Sequence, residues 1–263
     1  MQSIKNDINM RNLRYLFLSF AICVAALAAT AEPTEFPDET LPYKVLFKWG
    51  LVNTKAGHAT LSLRNRGTTS TAVLIAASEP WADKIYRLRD TLIAEMEHEG
   101  MTPLRYEKRA HEKNKYTHDI VIFRRSGDKV TGECSTYNKK KDMAPRRATH
   151  HLEANGTTVD MLSVFYYLRS LGFDTMKPGH NMVINIFSGN KCEQLRLRYL
   201  GIEDVKLNGR AHRAYRINFS FTTNGKKSSD DMSAWISTDS RRIPLRIEGK
   251  LPVGKIHILY DGR

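Results

Sequence analysis

DMLSVFYYLRSLG, residues 160–172, decides the plan of the chain: it is the one long stretch with a helical period, set among runs that alternate like strands. Asp160 suits an N-cap and Gly172 a left-handed C′ position, while Met161, Val164, Phe165, Leu168 and Leu171 fall on one apolar stripe. Leu162, Tyr166 and Tyr167 widen that stripe until Ser163, Arg169 and Ser170 are what remains polar. A helix apolar over most of its circumference is enclosed on several sides, so a helix over 160–171 is expected inside, or across the mouth of, a curved sheet. It serves there as a core plug; the competing reading has Tyr166 and Tyr167 lining a ligand cavity.

On both sides of this stretch the period is two. LRLRYL (195–200) and AYRINFSF (214–221) set Leu195, Leu197, Tyr199, Tyr215, Ile217, Phe219 and Phe221 against arginine, asparagine and serine. Such alternation implies an antiparallel sheet with one wet face. At the other end, YKVLFKWGL (43–51) alternates so that Tyr43, Val45, Phe47, Trp49 and Leu51 point inward, a turn is expected over 53–57, and HATLSLR (58–64) completes a hairpin. EPWADKIYRL (79–88) reads as a short helical turn with Trp81, Ile85 and Leu88 on one face. RDTLIAEMEH (89–98) buries Leu92, Ala94 and Met96 and turns Glu95 and Glu97 outward; the run from Lys139 to Arg147, broken by Pro145, reads as a solvated basic loop. The expectation is a mainly β protein: an antiparallel β-barrel-like or strongly curved sheet with one inserted central helix, built as a single β-rich domain over 32–263.

Residues 1–31 read as a signal peptide: Lys5, Arg11 and Arg14 precede LFLSFAICVAALAATA, which ends on the cleavage site Ala29-Thr30-Ala31. No stretch reaches the ~20 apolar residues of a membrane span, so an exported, periplasmic protein with at most peripheral membrane contact is expected. Lipidation at Cys23 is disfavoured by the bulky Ile22 before it, which leaves an outer-membrane lipoprotein as the lesser reading. Cys134 and Cys192 form either one bridge or two free thiols. The net charge of +13 falls by two once Lys5, Arg11 and Arg14 leave with Asp7. That excess favours an acidic polysaccharide or lipid headgroups as partner, and export argues against nucleic acid.

The nine histidines show no compact ligand spacing, so no metal is expected, and no cofactor either: there is no phosphate-cradling glycine loop and no Gly-x-Ser-x-Gly elbow. Glu95, Glu97, Glu107 and Glu112 are candidates for a glycosidase acid pair, and the plainer reading makes them solvated partners of nearby cations. Arg89, Asp90, Tyr106, Arg109, Glu112 and Tyr116 would gather near one rim if their strands are neighbours, and tyrosine with arginine suits sugars or acidic headgroups. Against this stands an exposed ion-pair lattice.

Seven segments, FKWGLVNTKAGHATLSL (47–63), WADKIYRLRDTLIA (81–94), PLRYEKRAHEKNKYTHD (103–119), DMLSVFYYLRSL (160–171), KPGH (177–180), RYLGIEDVK (198–206) and WISTDSRRIPLRIEGKLPVGKIHILY (235–260), occur in an order that resembles the exported bacterial domain-of-unknown-function family 3108. The resemblance implies an antiparallel β-barrel-like fold similar to that of the group 4 capsule lipoproteins, with the helix inserted. It implies no activity and no catalytic residues. The functional expectation is a non-enzymatic periplasmic binding or envelope-assembly protein for an acidic glycan or lipid-linked precursor. The alternatives are a carbohydrate-active hydrolase or lyase and a lipid or lipoprotein carrier.

Overall fold

The computed structural model describes residues 35–223, 226–251 and 254–262; the expected signal peptide, with Cys23, lies outside the described residues. Sixteen strands run in chain order: β1 Glu39–Trp49, β2 Val52–Arg66, β3 Thr69–Ser78, β4 Leu88–Glu97, β5 Pro103–Glu112, β6 Lys115–Ser126, β7 Lys129–Lys140, β8 Arg146–Asn155, β9 Thr158–Asp160, β10 Asn181–Phe187, β11 Cys192–Leu207, β12 Arg210–Thr223, β13 Lys226–Lys227, β14 Met232–Ser237, β15 Pro244–Lys250 and β16 Lys255–Tyr260. They form one sheet ordered β8-β7-β6-β5-β4-β3-β2-β1-β16-β15-β14-β12-β11-β10-β9, with β13 beside β12, curled into a nearly closed barrel. Every neighbouring pair is antiparallel except β9 with β10. The two sheet edges meet at a seam, where Asn185 donates from its backbone to the Thr157 carbonyl at 3.0 Å and from its side chain to the Asn155 carbonyl at 2.8 Å.

The period-two residues fill the interior. Leu41, Tyr43 and Val45, Leu61 and Leu63, Leu195 and Leu197, and Ile217, Phe219 and Phe221 belong to one continuous core. The central helix sits in it as α2, Ser163–Arg169, shorter than the period suggests. Asp160 pairs with Phe187 in the parallel ladder, so β9 takes it before the helix starts. Its carboxylate still caps the entry, accepting from the Leu162 and Ser163 N–H groups at 2.7 and 2.8 Å, while Ser163 Oγ accepts from the Asp160 N–H. Gly172 is not left-handed: the helix closes at Ser170, which keeps a right-handed conformation.

The helix is a plug. Tyr166 is enclosed against Phe36 and Phe165 rather than facing a cavity, and Tyr167 is partly buried against the same core. Arg169, 1% exposed, ties the plug to both halves: its guanidinium grips the Glu39 carboxylate on β1 and donates to the Arg241 carbonyl between β14 and β15 at 2.8 Å. Phe36 lies 4.2 Å beneath the guanidinium.

Other expectations need correction. The first hairpin turns at Gly50 and Leu51 rather than over 53–57, and a bulge between Val45 and Leu46 absorbs the offset. Its end overhangs the sheet, because β16 stops pairing at Lys48 and β3 stops at Gly57. Trp49 and Leu51 therefore have no sheet to bury against and stand in solvent. The short helix α1, Pro80–Tyr86, buries none of its residues, since it crosses the rim instead of covering a face; Leu88 alone turns inward, as part of β4. The basic loop is shorter than expected, spanning 141–145, because β7 continues through Lys140 and β8 starts at Arg146. Cys134 and Cys192 are free thiols, and burial, with help from the Asp119 charge, pushes the Cys134 thiol up to about 12.

Candidate anion-binding cleft

Antiparallel register brings four side chains into one row. Arg89 lies opposite His111, His111 opposite Tyr116, and Tyr116 opposite Lys139, across β4, β5, β6 and β7. At ~4.8 Å per strand the row spans roughly 14 Å. It faces outward, because the alternate residues Leu88, Ala110 and Thr117 take the interior. The Tyr116 ring sits 4.4 Å from His111, tilted by 34°, and 6.0 Å from Tyr137, edge-on at 61°, so the three rings form an angled aromatic cluster.

The turn between β5 and β6 completes the site. Lys113 is held in a left-handed conformation, and the Asn114 carbonyl accepts from the Lys141 N–H at 2.8 Å, so the two turns of this rim are stitched together. The result is a cleft of about 500 Å³ lined by the row, by Arg87, by residues 113–115 and by Lys140 and Lys141, with no carboxylate in its wall. Arg89 is anchored outside it: Asp83 accepts from both guanidinium nitrogens, at 3.0 and 2.7 Å. The hydrogen bonds from Arg89 and then Ser78 hold the Asp83 carboxyl below its ordinary range. Lys139, Lys140 and Lys141 make no ion pair among the described residues, which leaves their charge facing the cleft uncompensated.

A second row lies one step down the same face: Thr91, Arg109, His118, Tyr137 and Arg147. Arg147 stacks over the Tyr137 ring at 4.8 Å. Arg109 and His118 are drawn to Glu107, whose Oε1 lies 2.6 Å from Arg109 Nε and 2.8 Å from His118 Nε2; Arg105 closes on the other oxygen. The Glu107 side chain is 4% exposed. Burial alone would raise its pKa, but the hydrogen bonds from Arg105, His118 and Arg109 outweigh it and bring the carboxyl to about 2. A group so acidic cannot serve as a general acid near neutral pH. Glu95 is taken up by Arg105 at 3.3 Å, and Glu97 is exposed at the far end of β4.

Of the six candidate residues, Arg89 and Tyr116 meet in the cleft. Arg109 stands in the next row, engaged by Glu107. Asp90, Tyr106 and Glu112 point the other way and are buried. The Tyr106 hydroxyl is driven far up by burial and then by the charges of Asp160, Asp119 and Asp90. Parity alone separates these sets: Asp90 shares its face with Leu92 and Met96, and Glu112 with Ala110. His111, Lys113 and Arg87 were missed as members of the site, and the turn at Lys113 and Asn114 is the local feature that sets His111 against Tyr116.

A family model described as "Protein of unknown function (DUF3108)" matches residues 43–259. No curated protein matches the chain. Among solved structures the chain is similar to a β-barrel-like protein of the domain of unknown function DUF1849 from Brucella abortus, with a TM-score of 0.58 at 7% identity, over 86% of this chain and 97% of that one. A putative exported protein with a YmcC-like fold from Bacteroides fragilis matches with a TM-score of 0.32 at 7% identity, over 87% of this chain and 98% of that one. At such identity the Brucella likeness is one of fold.

Proposed function

We propose a function for this chain, which belongs to the protein family of unknown function DUF3108, on the chemistry of its cleft: it is an exported, non-enzymatic binding or assembly protein of the cell envelope that recognises an acidic glycan or a lipid-linked anionic precursor. The observation that carries this reading is a cleft of about 500 Å³ whose wall holds lysine, arginine, histidine and tyrosine and no carboxylate. Uncompensated lysines attract polyanions, and the Tyr116 and His111 rings offer a face on which a sugar ring can rest. The net charge of +13, lower by two for the exported form, adds long-range steering toward such ligands.

A hydrolase would need carboxylates at the same place. Glu112 and Asp90 lie behind the wall, and Glu107 is held as an anion by the hydrogen bonds of Arg105, His118 and Arg109. A lipid carrier would need a hollow under the helix, where Tyr166 packs against Phe36 and Phe165, and where Phe123 stacks on Phe187 at 5.4 Å.

Titration with uronic-acid oligosaccharides and with neutral oligosaccharides, at low and high salt, tests the proposal. The acidic fragments should bind, and salt should weaken them as the ~8 Å Debye length of physiological buffer shortens. Replacing Lys139, Lys140 and Lys141 together by alanine should lower that affinity about tenfold. Equal affinity for neutral and acidic fragments, indifferent to salt and to the triple substitution, would remove the reading.

A further inference from the structure

We propose that the rim carrying the β1–β2 hairpin docks onto an anionic phospholipid surface, with Trp49, Leu51 and Val52 entering the lipid interface. Among the described residues the hairpin runs past the end of strand pairing on both sides, so its tip projects beyond the sheet. Trp49 is 60% exposed, Leu51 fully and Val52 about half. Water gives no reason for three adjacent large apolar side chains at the tip of a turn.

Two further features stand beside the tip. Helix α1 turns Trp81 and Ile85 outward, and the Trp81 indole donates to the Lys55 carbonyl at 2.7 Å, three residues from Val52, which fixes the helix to the same rim. At the base of the tip, Lys250 lies opposite Lys255 and Lys255 opposite Lys48, a row of three exposed lysines with no carboxylate partner among the described residues. Like charges directly opposite one another destabilise a sheet, so this row works against the fold unless an anion faces it.

A narrow convex tip matches a fluid interface better than a protein groove. Tryptophan with lysine is the pairing such an interface favours: the ring settles among headgroups and the ammonium meets their phosphates. Antiparallel topology sets the turn at Lys113 and the end of β7 at the same end of the sheet, so docking would hold the cleft at headgroup level. The tip shares no residue with the cleft, and its docking does not depend on what the cleft binds.

Co-sedimentation with phosphatidylglycerol–phosphatidylcholine vesicles, read together with tryptophan emission, tests it. Trp235 is buried, so a blue shift on binding reports Trp49 and Trp81. The purified protein should bind the anionic vesicles with a blue shift and bind phosphatidylcholine alone more weakly. Leu51→Glu, and separately Trp49→Ser, should each lower partitioning about tenfold while leaving the melting temperature and the binding of uronic-acid fragments unchanged. Lys48→Glu with Lys255→Glu should erase the preference for anionic vesicles. Any of three results overturns the proposal: vesicle binding untouched by the tip variants, binding without an emission shift that inorganic phosphate competes away, or no vesicle binding together with self-association that Leu51→Glu abolishes.

Discussion

Two places where cations gather beside aromatic rings, around Arg169 and around Tyr116, are opposites. Around Arg169 the guanidinium lies over Phe36, Phe165 and Tyr166, and Glu39 and the Arg241 carbonyl accept its hydrogen bonds; it is sealed from water. Around Tyr116 the cleft is open to solvent, and Lys139 to Lys141 make no ion pair among the described residues. The first is a closed account of charge, and its role is to lock the plug to both halves of the sheet. The second is incomplete by itself. The same residue types are structural where their partners are internal and candidates for binding where the partners are missing.

The largest test of this contrast is Arg169→Met. Leaving the Glu39 carboxylate buried and alone should destabilise the fold by about 3–5 kcal/mol, seen in the denaturation midpoint, and adding Glu39→Gln should recover part of it. A loss below about 1 kcal/mol would make the pair incidental.

Glu107 comes next: Glu107→Gln should cost about 2 kcal/mol, because a neutral amide with one acceptor oxygen replaces the carboxylate that Arg105, Arg109 and His118 share. Because the folded carboxyl sits near 2, below its ordinary 4.5, its stabilisation is complete above that ordinary value and is lost as pH falls from there toward 2; the glutamine variant should be flat across that window. Asp160 has the opposite sign. Burial raises it to about 6 against an ordinary 3.8, so the wild type should lose stability as pH rises through that interval, and Asp160→Asn should not. Asp160→Ala, which removes the acceptor for two N–H groups at the helix entry, should cost about 1–2 kcal/mol at any pH. Thermal melts of these variants across pH 2–7 check both signs.

At the open assembly, replacing Lys139, Lys140 and Lys141 by alanine should move stability by no more than about 0.5 kcal/mol while lowering acidic-fragment affinity about tenfold. Smallest of all is Arg109→Ala, expected to change that affinity by about twofold or less, because Glu107 already holds its guanidinium. A large loss at Arg109 would shift the site to the second row.

Much of this was legible in the chain. Period two along AYRINFSF and LRLRYL is a local consequence of pleating, and it delivered the antiparallel sheet and its core. Parity was also available at the candidate site, and it places Asp90 with Leu92 rather than with Arg89. What no local pattern contains is where a neighbour stops. Trp49 alternates with Tyr43 and Val45 as if it were core, and only the end of pairing at Lys48 with Lys255 turns it to solvent. Likewise Asp160 leaves the helix because Phe187, far along the chain, pairs with it. The row across β4 to β7 depends on three registers at once, so its members could be named singly and not as a set.

The pairing of β1 with β16 sets an order in time. Tyr43 lies opposite Tyr260, their rings 5.7 Å apart, and Lys44 meets Asp261 across 217 residues. The first strand of the sheet cannot acquire its second neighbour until the last has been made, which at translation rates is a delay on the order of tens of seconds. Closing so long a loop also places this step among the slow ones, in the millisecond-to-second range or beyond. During that interval one edge of β1 is an open template for any other strand in reach. Shortening the chain by its last strand should thus leave a protein that aggregates through β1 rather than one that merely melts sooner.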